Sequence, residues 1–155
     1  MRALMTASLA LLLASMAAVL PAAAATYRVD DSATLPVEST ALLRWRQAAP
    51  SRTRDDTLEG ATAVAVRLNL APWLEQSARL YLVLPAQGTA AVRVSWLTQG
   101  RLLPGEISPG ERVLIYQGPI ASPFLEETLT LRIEADGSRL PGTERLRFHF
   151  EIDTD

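Results

Sequence analysis

The sequence predicts an all-β fold, an antiparallel immunoglobulin-like β-sandwich of about seven or eight strands behind a cleaved leader. Three observations point there. Apolar and polar residues alternate with period two through most of the chain after residue 26, which is the pattern of half-buried strands. The alternating runs are short and separated by turns rich in Pro, Gly, Ser and Asp. Only Ala71–Ser77 has a helical start, with Pro72 at a first helical position, where its missing N–H costs nothing.

Residues 1–25 read as a secretory signal. Arg2 precedes an uncharged stretch rich in Leu, Ala and Met, which closes on Pro21 and the run Ala22–Ala25. A positive start, an apolar core and a small-residue exit are what a signal peptidase processes. Pro21 and the weakly apolar alanines argue against an uncleaved membrane anchor. The expected mature chain is one domain, residues 26–155, with no membrane span and a periplasmic or secreted location.

The strands follow in order. Tyr27, Val29, Asp31, Ala33, Leu35 and Val37 share one phase of an alternating N-terminal segment. It is expected as the first edge strand, or as a donor strand that completes a neighbour's sheet. Leu43 and Trp45 come next, with Arg44 and Arg46 pointing away. Val64, Val66, Leu68 and Leu70 define a strand, then Leu80, Leu82 and Leu84, which Pro85 ends. Val92, Val94 and Trp96 make the next, and Val113 and Ile115 another, with Leu114 and Tyr116 on its opposite face. Leu129, Leu131 and Ile133 alternate ahead of Asp136-Gly137, and Leu146, Phe148, Phe150 and Ile152 alternate at the C-terminus. The turn residues between those two runs suggest a hairpin. All three tryptophans, Trp45, Trp73 and Trp96, are expected to fill the core, and Gly105 and Gly110 to lie in turns.

Composition excludes several classes of chemistry. The chain has no cysteine, so disulfides, thiol catalysis, iron–sulfur clusters and cysteine-bound zinc are out. Arg2 is the one charged residue of the leader, which leaves 14 Arg against 17 acids and a charge of −3. That balance gives no support to a nucleic-acid partner. Every basic residue is Arg, as a GC-rich bacterial genome would favour.

Candidate sites are few. The single histidine, His149, falls on the face opposite Phe148 and Phe150, with Glu151 two residues on. An acid-oriented base of that kind is one part of a hydrolase triad, but no G-x-S-x-G elbow accompanies it. The pairs Asp30-Asp31, Asp55-Asp56 and Asp153/Asp155 lack the fixed spacing of a calcium loop. No catalytic, cofactor or metal set is therefore expected. The polar stretch Ala49–Asp56 holds Arg52, Arg54, Asp55 and Asp56, the candidate recognition loop, and Tyr27 and Val29 are the candidates on the N-terminal segment. The reading that results is a non-enzymatic binding protein. It would serve as an accessory or assembly factor of a bacterial envelope structure, partnered by another envelope protein or by itself. The alternatives are a fibre subunit joined through residues 27–37 and a small hydrolase using His149.

Overall fold

The computed structural model describes residues 25–38, 40–47, 55–86, 91–139 and 146–154. It is all-β, with two antiparallel sheets packed as in a β-sandwich, and one 3₁₀ turn at Ala71–Trp73 with Pro72 in its first turn. The strands are β1 (Ala25–Arg28), β2 (Leu35–Pro36), β3 (Arg44–Trp45), β4 (Thr57–Asn69), β5 (Ser77–Leu84), β6 (Val92–Leu97), β7 (Gly105–Ile107), β8 (Glu111–Pro119), β9 (Phe124–Asp136) and β10 (His149–Thr154). One sheet runs β1-β10-β5-β8; the other runs β2-β4-β9-β6-β7, with β3 also on the edge of β4. The expected count of seven or eight is exceeded because the N-terminal segment divides into β1 and β2, and because β7 has only three residues, too few to show alternation.

The inner faces are those that the alternation marks. Val66 and Leu68 of β4, Leu80 and Leu82 of β5, Val94 of β6, and Leu129 and Leu131 of β9 are all buried. Removal of these side chains from water drives the packing of the two sheets, at roughly 25 cal/mol for each Å² of apolar surface. Trp96 is the largest side chain in the core. Its Nε1–H donates to the Leu103 carbonyl at 2.9 Å, and its ring lies on Gly105, where an added Cβ would sit 2.8 Å from the indole. Gly105 is thus a strand residue of β7, and the expected turn begins later.

Four other expectations are corrected. The runs at 129–133 and 146–152 form no hairpin: β9 pairs with β4 and β6, whereas β10 pairs with β1 and β5 in the other sheet. Alternation records which face is buried and carries nothing about the partner strand. The N-terminal segment is not one strand either. β1 lies on the edge of one sheet, Val29 enters the core, Asp30 bridges to Asn69, and β2 joins the edge of the other sheet. Trp45 is 54% exposed, because β3 runs past the end of the sandwich. A register shift opposite Leu80 and Tyr81 leaves Ile115 as an extra residue in β8. This β-bulge turns both Ile115 and Tyr116 towards the core, and the Tyr116 hydroxyl donates to the Pro119 carbonyl at 2.7 Å. β1 starts at Ala25, which pairs with Thr154. Residues 1–24 lie outside the described residues.

Glu127 occupies an inward position of β9 that a hydrophobic residue would normally fill. Its carboxylate accepts the backbone N–H groups of Gly100, Arg101 and Leu102 at 3.0, 2.9 and 3.1 Å. A charge there is tolerated because it closes the 98–102 loop over the end of the core.

Gly105→Ala should cost about 1–3 kcal/mol, since the new methyl meets a buried indole that has nowhere to retreat. Gly137→Ala also makes a short contact, 2.5 Å from the Trp45 ring, but that ring is half exposed and can swing away. Urea denaturation of both variants should show a large loss only for the first.

Candidate functional site

One end of the sandwich holds two of the residues that the sequence singles out, Asp55 and Asp56. Two short segments build it: the approach to β3 and the start of β4. Asp55 begins β4 by accepting the Thr57 N–H at 3.0 Å, an Asx turn of the kind that starts elements without a helix. Hydrogen bonds from Thr57 hold the Asp55 carboxyl below its ordinary value. The Asp56 carbonyl takes the Gly137 N–H at 2.7 Å, which ties the start of β4 to the turn after β9. Arg52 and Arg54 lie outside the described residues.

Trp45 stands on this platform. Its six-membered ring covers Gly137, a contact so close that only a residue without Cβ leaves room for it. The other face of the indole is open to solvent. Leu42, 73% exposed, lies on the same edge, with its carbonyl against Gly60. Contiguous exposed apolar side chains are the kind of surface that a partner covers.

A square of charges flanks the indole on the outer face. Arg46 reaches Glu134 at 2.7 Å and Glu59 at 3.4 Å, and Arg132 reaches Glu59 at 2.7 Å and Glu134 at 3.5 Å. Each guanidinium touches both carboxylates, and hydrogen bonds from Arg132 and Arg46 hold Glu59 below its ordinary value. The square therefore neutralises itself and fixes β3 across β4 to β9.

Tyr27 and Val29 are not brought to this end. Val29 is 1% exposed and offers no surface to a partner; its N–H donates to the Phe150 carbonyl at 2.9 Å. Tyr27 is half exposed beside Trp73, with ring centroids 6.0 Å apart. Within residues 27–37, Tyr27 and Arg28 pair with β10, and Leu35 and Pro36 with β4. Asp30 accepts the Ser32 N–H at 3.1 Å and so serves a turn. Among the described residues no three His, Asp or Glu side chains come together as a metal site.

His149 belongs to a second cluster, on the outer face of the four-stranded sheet. The sequence places it facing solvent, yet its side chain is only 17% exposed. Its Nε2 lies 3.2 Å from Glu151 Oε1. Arg112 crosses the Tyr81 ring at 3.5 Å to donate to Glu151 at 2.7 Å and Asp153 at 2.6 Å, and the Thr26 hydroxyl donates to Asp153 at 2.7 Å. Neighbouring strands contribute one residue after another, so long side chains cover each other and shut out water. Among the described residues no hydroxyl nucleophile hydrogen-bonds the imidazole. The cluster clamps β1, β5, β8 and β10 together, with Glu151 shared between His149 and Arg112.

Comparison with protein-family models, curated proteins and solved structures gives no match. No helix among the described residues is long and apolar enough to cross a membrane.

Burial alone would raise the carboxyls of Glu151 and Asp153. Hydrogen bonds outweigh it, from Arg112 and His149 to Glu151 and from Arg112 and Thr26 to Asp153, and hold both below their ordinary values of 4.5 and 3.8. A depressed folded-state value adds stability that is complete above the unfolded value and is lost as pH falls through the folded one. The clamp should accordingly hold from neutral pH down to about 4.5 and weaken below about 4. Arg112→Gln should remove about 1 kcal/mol at pH 7, discounted for its partial exposure, and should flatten the acid limb. Urea melts between pH 7 and 3 check both; an acid limb of unchanged slope in the variant would assign it to other carboxylates.

Proposed function

We propose that this protein is exported to the periplasm and acts there by binding another protein, as a non-enzymatic accessory or assembly factor of a bacterial envelope structure. The observation that carries the reading is Trp45, held open to solvent on Gly137 beside Leu42 and against the Asp55-Asp56 start of β4. Tryptophan is the side chain most enriched among residues that dominate protein–protein affinity, since it buries a large rigid area at little entropic cost. Here one face of the ring already lies against Gly137, and a partner would cover the open remainder. The leader-like residues 1–25 support export. The two-sheet antiparallel layout supports an immunoglobulin-like kind of sandwich, a scaffold that presents loops and edges at its ends.

The test is site-specific photocrosslinking in the native host, with the crosslinker at Leu42 and a control at Leu74. A discrete adduct from Leu42 alone, containing an envelope protein, is expected. Trp45→Ala should weaken capture by roughly tenfold or more, the scale of an interface anchor. Equal adducts at both positions, or capture indifferent to Trp45→Ala, would remove this end of the sandwich as the binding surface. Mass measurement of the exported protein tests the leader independently; a mature chain starting at Thr26 is expected.

A further inference from the structure

We propose that a cleft at the opposite end of the sandwich from Trp45 binds a short aliphatic carboxylic acid, with Arg101 taking the carboxylate and an apolar lining taking the chain. This site is an addition to the function proposed above. Trp45 pairs with Leu58 near the start of β4, whereas the cleft begins at Leu70, just past the end of that strand. At about 3.3 Å per residue the two ends stand roughly 35 Å apart.

The cleft lies between the loop after β6 and the connection from β8 to β9, and encloses about 200 Å³, part of it open to solvent. Its deep lining is apolar: Leu70, Ile120 and Leu125 are all buried. Arg101 and the Ser122 hydroxyl are the polar groups that line it beside Tyr116. A water molecule occupies about 30 Å³ of liquid, so the space holds roughly six or seven groups of that size. A carboxylate on a chain of about four carbons fits; a long acyl chain does not.

The chain holds the backbone of Arg101 firmly and leaves its charge over. Glu127 accepts the N–H groups of Gly100, Arg101 and Leu102, and the Thr98 hydroxyl donates to the Leu102 carbonyl at 2.6 Å. A Cβ at Gly100 would fall 2.6 Å from Glu127 Oε2, so this clamp needs glycine there. Arg46, Arg67, Arg93, Arg112 and Arg132 each meet a carboxylate. Among the described residues the Arg101 guanidinium meets none, because Glu127 gives its oxygens to backbone amides instead. A cation without a counter-ion beside an apolar cleft matches an anion that carries an apolar group. A carboxylate accepts two parallel N–H bonds from the guanidinium fork, and the Ser122 hydroxyl adds a donor. A purely polar anion would leave the apolar lining uncovered, and a neutral aliphatic molecule would leave the charge unmatched.

Titration of the ¹⁵N-labelled protein with 3-methylbutanoate at pH 7, followed by amide shifts, reads the site directly. Saturable shifts at Leu102 and Ile120 are expected, with a Kd of about 1 mM, in keeping with so small a ligand. Acetate, which keeps the charge, and 3-methylbutan-1-ol, which keeps the chain, should each bind at least about tenfold more weakly. Arg101→Gln should weaken 3-methylbutanoate by at least about tenfold with an unchanged thermal melt, since the side chain is exposed and bonded to nothing in the fold. Shifts that do not saturate by about 50 mM overturn the proposal, as do equal responses to acetate or binding that survives Arg101→Gln. Tighter binding of N-acetylvaline than of 3-methylbutanoate would replace the free acid by the last residue of a peptide chain as the occupant. Trp45→Ala should bind 3-methylbutanoate like the parent, so failure at either end of the sandwich leaves the reading of the other standing.

Discussion

Everything in the six-stranded sheet depends on the pairing of β4 with β9. The two strands match residue for residue from Thr57↔Asp136 to Asn69↔Phe124. That is more than twice the usual length of a strand. On this ribbon β2 and β3 hang from one side and β6 from the other. Its inner face supplies Val66, Leu68, Leu129 and Leu131 to the core, while its outer face carries the arginine–glutamate square. A single β-ladder thus sets the register of core and square together. A slip by one residue would turn both inside out.

Arginine does the same work on both outer faces. Arg112 spans β5 to reach two carboxylates on β10, and Arg46 and Arg132 each touch both glutamates of their square. Lysine offers one point charge and could not hold two acids in fixed geometry; the guanidinium fork can. These pairs are partly exposed, so each contributes little alone. Their effect is cumulative across strands, and it falls mainly on strands with few backbone bonds of their own: β1 through Thr26 and Asp153, and β3 through Arg46.

The faces of the long strands were legible because period two is a local property of the chain. Val66 to Leu70, Leu80 to Leu84, Val92 to Trp96 and Leu129 to Ile133 all bury the phase that the sequence marks. Non-local features were not legible. Nothing in Leu129–Ile133 or Phe148–Ile152 says that they belong to different sheets. The exposure of Trp45 depends on where the sandwich ends, which two residues of strand do not encode. Tyr116 turns inward only because the bulge at Ile115 breaks its phase. Glu127 did leave a signal, a charged residue on the apolar phase two positions before Leu129, and such an exception marks a partly buried acid held by hydrogen bonds. Of the candidate site, Asp55 and Asp56 could be found by polarity alone. Trp45 had the opposite assignment, and the meeting of these residues over Gly137 required the fold.

The two solvent-facing apolar surfaces differ in how the chain holds them. At the sandwich end, one indole is braced by Gly137 among loop and edge residues, a construction that presents a single deep anchor and suits a partner with a matching pocket. On the sheet face the exposed groups are valine, threonine, alanine and leucine on paired strands, so backbone pairing fixes their spacing, whereas a single side-chain contact positions the indole.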